Sequence, residues 1–208
     1  SRSTARPTMS WSSTRPCVSP DVGAARVACA SSRVRYNARA LSSTLQQNGF
    51  LHLSGLISTG QIVPELSARD RDGAISELVA HMSTLGLLKG GDSDEILRAL
   101  QTREEFISTG IGSGVAIPHA FSDEIDDVVV VMGRSLAGID FVAHDDAPVH
   151  LVILFVVPRH GHQLHLRTLA AIARLFHDDE MKRQLLEAAS AEEMLLTLKR
   201  RAPRAVAA

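Results

Sequence analysis

Two apolar runs constrain this chain more than anything else in it. Val128 to Met132 and Val149 to Val157 are dominated by β-branched and other large apolar residues, and the second run is closed by Pro158. A half-exposed strand alternates apolar with polar residues, so runs as apolar as these predict strands at the centre of a sheet covered on both faces. The longest unbroken apolar stretch, Leu151 to Val157, is seven residues. A bilayer span needs about 20, and no membrane insertion is expected.

Helices that would cover such a sheet are legible on either side of it. Ile75, Leu78, Val79, Met82 and Leu85 recur at helical spacing, with Ser67, Asp70 and Asp72 as candidate caps and Gly86 where the helix would end. A second helix is predicted from near Asp92, with Glu95 placed to reach back, carrying Ile96, Leu97 and Leu100 inward and ending between Arg103 and Phe106. Beyond the sheet, Leu166, Leu169, Ala170, Ala173 and Phe176 predict one helix face, and Met181 and Leu185 belong to a short next helix. Ser190 and Glu193, in capping-box spacing, open a last one that carries Met194, Leu195 and Leu198. The expected architecture is a single α/β domain over residues 50–202, with a central mixed sheet and helices on both faces.

The first 43 residues differ in kind. They hold seven arginines, no lysine, ten serines and one acid, Asp21, giving a net charge of +6 against −7 for the remainder. With no sustained apolar period to build a core, residues 1–45 are expected to be a disordered leader. Arg-rich, Ser-rich, acid-poor composition is also that of organelle transit peptides, and the apolar stretch of a secretory signal is absent. A cytoplasmic location is expected, with organelle targeting through residues 1–43 as the alternative. The overall net charge of −1 gives no electrostatic case for a nucleic-acid partner. Cys17 and Cys29, the only cysteines, support neither a disulfide framework nor a four-cysteine zinc site.

The chemistry concentrates in Ser108-Thr-Gly-Ile-Gly-Ser-Gly-Val-Ala-Ile-Pro-His119. Glycines at 110, 112 and 114 demand sharp turns or a close approach. Common phosphate-binding readings fail: a dinucleotide fingerprint from Gly110 and Gly112 would need glycine where Val115 stands, and no Gly-Lys-Ser/Thr follows for a P-loop. Ser113 lacks the preceding glycine spacing of a nucleophile elbow. Instead the stretch Val115-Ala116-Ile117 stops at Pro118, which is expected to turn the chain out of the sheet with His119 at the exit. A neutral imidazole has one nitrogen free to attack while the partner of the other fixes the tautomer.

At this point the sequence resembles the enzyme IIA domains of the mannitol/fructose type in the bacterial phosphoenolpyruvate-dependent phosphotransferase system, including stand-alone nitrogen-regulatory members. The resemblance runs over about residues 53–199 and rests on ordered segments: Thr109 to His119, Gly138-Ile-Asp-Phe141, Pro148-Val-His-Leu-Val152, His165-Leu-Arg-Thr-Leu-Ala170 and Ile172-Ala-Arg-Leu175. It implies that His119 accepts a phosphoryl group from a histidine phosphocarrier protein and passes it on, often to an enzyme IIB domain, making the chain a phosphotransferase. It further implies that His165 is the supporting imidazole beside the first and that Arg103, sixteen residues before His119, clamps phosphoryl oxygens. The other reading of Arg103 is a solvated helix end flanked by Glu104 and Glu105. Thr109 or Ser113 is expected either to orient the imidazole through a hydroxyl or to stabilise the turn. No cofactor is implied; the phosphoryl group on His119 is transient cargo, and no carboxylate site for magnesium is evident.

Two features separate the chain from the resemblance. His119 is followed by Ala120 and Phe121, where many regulatory members carry glycine and a basic residue, and Phe121 would bear on which partner docks. The run Arg159-His-Gly-His162-Gln-Leu-His165 also supports an alternative of another class: a metal-responsive binding module with His160, His162 and His165, and Asp145 or Asp146, as ligands. A further alternative keeps fold and phosphorylation but uses the phosphorylation state as a signal to a transporter or kinase. The absence of a IIB-like or membrane segment within these residues inclines the expectation that way. The acids Asp123, Glu124, Asp126 and Asp127 would form the rim against which added negative charge is read.

Overall fold

The computed structural model describes residues 53–88 and 93–201. The expected leader, the Asp92 cap and the outer limits of the domain lie outside them. Six strands form one mixed sheet: β1 (Ile62–Val63), β2 (Gly110–Gly112), β3 (Val115–Ala116), β4 (His119–Ser122), β5 (Val129–Ile139) and β6 (Val149–Pro158). Their order is β1-β5-β6-β3-β2, with β4 also beside β6. The long antiparallel pair β5–β6 forms the centre; β1 lies parallel to β5, β3 and β4 lie parallel to β6, and β2 is antiparallel to β3. The two apolar runs of the sequence are thus adjacent central strands.

Their residues alternate between two cores. Val130, Met132, Leu151, Ile153, Phe155 and Val157 face one side, where α1 (Leu53–Leu56), α4 (His162–Phe176), α5 (Asp179–Glu187) and α6 (Ala191–Arg201) supply Leu53, Ile172, Phe176, Met181, Leu185 and Leu198. Val129, Val131, Val152, Leu154 and Val156 face the other, against Ile75, Leu78 and Met82 of α2 (Arg71–Thr84) and Ile96 and Leu100 of α3 (Ser93–Phe106). Each such side chain, fully withdrawn from water, contributes about 1.5–3 kcal/mol. The fold is therefore the expected mixed α/β arrangement, with helices on both faces.

Local signals fix the helix ends. Asp70 caps α2 by accepting from the Gly73 amide at 2.8 Å, while the Ser67 amide is taken by the Glu77 carboxylate. Gly86, at φ +66°, follows the helix in the left-handed conformation that favours glycine. Ser190 Oγ accepts from the Glu193 amide at 3.4 Å, and the Glu193 carboxylate accepts from the Ala189 amide at 2.7 Å, one residue earlier than an ideal box.

Several expectations are corrected. Leu85 does not belong to the buried face of α2; it is the C-cap and is exposed. In α4 the inward face is Thr168, Ala171, Ile172 and Phe176, with Leu166 (64% exposed), Ala170 and Ala173 turned outward and Leu169 half-buried. A one-residue displacement of the stripe is about 100° of helix rotation, and it is this rotation that turns His165 toward the sheet. β5 runs well past Met132, and Gly133 and Arg134 each have a place in it. Gly133 leaves room for Leu66, whose Cδ1 would lie 2.6 Å from a Cβ there. Buried Arg134 donates to the carbonyls of Pro64, Leu185, Leu186 and Ala188, closing the C-terminus of α5.

Candidate active site

Pro118 does not turn the chain out of the sheet. Val115 pairs with Leu151 and Ala116 with Val152 in β3, and His119 then pairs with Phe155 at the same offset in β4. Proline withholds one ladder donor, but its carbonyl still accepts from the Phe155 amide at 3.1 Å, so the strand resumes without a register shift. His119 is accordingly the first residue of β4 rather than an exit. Because it lies opposite Phe155, its side chain shares the face covered by α4.

That placement assembles the site. The His119 ring stacks on Phe155, with centroids 5.3 Å apart at 16°, and lies 4.8 Å from the ring of His165, in the first turn of α4. Phe121, two residues along the same strand face, packs 5.0 Å from His165 and 5.5 Å from His162. His165 is thus held between Phe121 and Phe155, the latter at 5.8 Å. Its Nε2 is buried and has no hydrogen-bond partner within the protein.

The hydrogen bond of His119 defines its tautomer. Nδ1 lies 3.0 Å from the Ile117 carbonyl oxygen. A carbonyl only accepts, so in the neutral ring Nδ1 carries the proton and Nε2 keeps its lone pair. Burial, first of all, pushes the His119 pKa below the usual histidine range; Arg103 adds to that, while the Ile117 carbonyl and Glu104 oppose it. His165 is also lowered, by burial first and then by the neighbouring His119, His162 and Arg103. Near neutral pH the site therefore holds two uncharged imidazoles in contact.

The other residues singled out from sequence are placed as follows. Arg103 acts electrostatically on both imidazoles, and its Nη1 donates to the Ile107 carbonyl at 2.8 Å, closing the end of its own helix. The Thr109 hydroxyl donates to the Glu104 carboxylate in a short contact, and exposed Ser113, at φ +54°, donates its amide to Asp145 at 2.8 Å. The hydrogen bond orienting His119 is made by the Ile117 backbone rather than by either hydroxyl. Glu104, the charged neighbour of Arg103, is 2% exposed. The sequence carried a signal for this, since Glu104 follows Ile96 and Leu100 at four-residue steps on the inward stripe of α3. Phe155 left no such signal, because strand register cannot be read from one strand alone.

Among the described residues no group of three His, Cys, Asp or Glu side chains could hold a metal ion. His160, His162 and His165 are thus not gathered with Asp145 or Asp146, whose loop lies at the glycine turn. No helix among the described residues is long and apolar enough to cross a membrane.

Comparison with known proteins identifies the family. Residues 56–201 match the family described as phosphoenolpyruvate-dependent sugar phosphotransferase system, EIIA 2. The chain is 38% identical over 120 residues, 58% of its length, to the fructose-specific EIIA component of Haloferax volcanii, covering 77% of that protein. It is 31% identical over 146 residues, 70% of its length, to a nitrogen regulatory protein of Bradyrhizobium diazoefficiens, covering 94% of it. It spans only 22% of the fructose-specific EIIABC component of Bacillus subtilis, at 30% identity over 145 residues, 70% of the chain. In structure it resembles nitrogen regulatory protein IIA-Ntr from Neisseria meningitidis, with a TM-score of 0.64 and 25% identity over 70% of this chain and 98% of that one. The fold also matches mannitol IIA in its complex with phosphorylated IIB from Escherichia coli, at TM-score 0.58 and 19% identity over 69% of this chain and 96% of that one. The chain belongs to the EIIA 2 family of the phosphoenolpyruvate-dependent sugar phosphotransferase system.

Proposed function

We propose that the chain is a phosphoryl carrier whose acceptor atom is His119 Nε2. The observation that carries this reading is the Nδ1 bond to the Ile117 carbonyl, which leaves Nε2 with its lone pair beside the ring of His165. In the transfer, the P–N bond of a phosphohistidine on the carrier protein breaks as the P–Nε2 bond forms, and the His119 ring proton stays on Nδ1 against the carbonyl. His165, uncharged and with an unpartnered Nε2, supplies a hydrogen bond to a phosphoryl oxygen, and the Arg103 guanidinium contributes positive charge. Such chemistry is mainly positioning and electrostatics. The donor in this reading is a histidine phosphocarrier protein. The recipient is a IIB domain, as in the mannitol IIA–IIB complex, or the phosphorylation state is itself read by a regulated transporter or kinase. The near-complete coverage of a nitrogen regulatory protein supports the regulatory use.

Incubation of the purified protein with phosphoenolpyruvate and the general carrier proteins, followed by mass analysis under alkaline conditions, tests this. One phosphoryl group is expected, absent in His119→Ala and formed more slowly in His165→Ala. Unmodified wild type, or modification that survives His119→Ala, refutes it.

A further inference from the structure

The EIIA reading leaves Glu104 without a role. It is a carboxylate at 2% exposure, and its partners are both groups of one residue: the Thr109 amide, which donates to Oε2 at 2.8 Å, and the Thr109 hydroxyl, which donates to Oε1. Thr109 is itself buried at 6% exposure. Its carbonyl accepts from the Ile117 amide at 3.0 Å, and the Ile117 carbonyl in turn accepts from His119 Nδ1 at 3.0 Å. Three consecutive contacts thus connect the carboxylate to the nucleophilic ring, and every residue along the way is held by its backbone.

We propose that Glu104 is a positioning residue for His119, fixing through Thr109 and Ile117 which nitrogen of the imidazole carries the proton. Burying an ionised carboxylate is costly unless donors compensate it, and an apolar or amide side chain would fill the same space without that cost. A bidentate grip by Thr109 offsets the cost and immobilises the segment that aims the Ile117 carbonyl. The negative charge also favours a proton on the His119 ring, while Arg103, the preceding residue, opposes it. The two adjacent residues therefore act on the imidazole with opposite sign: Arg103 adds to the burial that disfavours a doubly protonated ring, and the Glu104 network keeps its single proton on Nδ1. At metal sites, loss of the group that orients a ligating histidine costs about 10–100-fold, and the lower end of that range is expected for a relay through Thr109 and Ile117.

The proposal rests on the carrier reading only in making Nε2 the useful atom, and its first test is independent of phosphorylation. Nitrogen-15 spectra of the full chain report the His119 tautomer directly. Wild type is expected to show the Nδ1–H form alone, Thr109→Val and Glu104→Gln a mixture of tautomers, and Thr109→Ser, which keeps the hydroxyl, the wild-type pattern. The ring-current signature of the His119–Phe155 stack identifies variants that retain the fold, and if Glu104→Gln loses it the milder Thr109→Val decides. Phosphorylation by the carrier proteins is expected to slow roughly 10-fold in Glu104→Gln and to recover in Thr109→Ser. A wild-type Nε2–H tautomer, or folded variants with unchanged tautomer and rate, overturns the proposal. A tautomer that shifts as expected in a protein that accepts no phosphoryl group sustains the positioning role and refutes the carrier reading instead.

Discussion

Gly110 is the point at which packing and chemistry are most tightly joined, and Gly110→Ala tests that coupling. A Cβ built there would lie 2.8 Å from both Cα and Cβ of Ala143 and 3.3 Å from Ser108 Oγ. Carbon atoms prefer about 3.5–4.0 Å, so β2 and the segment through Ala143 must part by roughly 0.7–1.2 Å. One of the atoms met is main chain and cannot rotate away. The movement stretches the bond from the His144 amide to the Gly110 carbonyl, already 3.2 Å, beyond useful length. Overpacking of this kind costs about 1–3 kcal/mol and a lost hydrogen bond about 0.5–1.5 kcal/mol, so a total of roughly 1.5–4.5 kcal/mol is expected. With a urea slope of about 2 kcal/mol/M for a domain of this size, the unfolding midpoint should fall by about 0.75–2.25 M. Ala143→Gly in the same chain removes one of the two close atoms and should restore part of the loss. Because Thr109 precedes Gly110, the displacement should also disturb the His119 tautomer. A midpoint unchanged to within about 0.2 M, or full rescue by Ala143→Gly, would show that the main-chain clash does not set the cost.

Two further outcomes follow from other features. His119 and His165 both have pKa values lowered in the folded state, so the unfolded chain binds more protons between those values and the ordinary histidine range near pH 6.5. Stability should therefore be fully present at pH 7 and decline as pH falls below about 6.5, before the lowered carboxylates of Asp145, Asp179 and Glu192 begin to protonate. Urea midpoints across this range should slope less in the His119→Gln, His165→Gln double variant, and an equal slope would refute the assignment. Val142 holds φ +53° with its side chain 63% exposed, so Val142→Asn relieves a left-handed β-branched residue with little burial to lose. It should raise stability by about 1 kcal/mol, read as a higher melting temperature, and a neutral or lower one would place the Val142 side chain in a contact that matters.

The two covered strands were legible because their apolar runs left only one environment open to them, and the caps at Asp70 and Gly86 because single side chains or a lone glycine make them. What the sequence hid were relations between segments. Pro118 carries a sound local rule, that proline ends a strand, and the rule fails because β6 accepts β3 and β4 in one register and loses a single donor at the interruption. The inward face of α4 is hidden for a related reason: Leu166 and Ala170 form a plausible apolar stripe, but the stripe that contains His165, Thr168 and Ile172 is the one that lies over Phe155.

The site inherits this division. His119 and His165 stood out through the order of their motifs, whereas the groups that hold them, the Ile117 carbonyl, Phe155 and buried Glu104, are defined by what the fold places opposite or behind them. Glu104 is the instructive case. Its position at helical spacing from Ile96 and Leu100 argues for burial while its charge argues for solvent. A carboxylate on the apolar stripe of a helix satisfies both signals at once if it is buried and gripped by donors, as Glu104 is by Thr109. The tautomer measurement therefore tests two things: the role of Glu104, and whether conflict between burial pattern and charge marks the groups that prepare a site for chemistry.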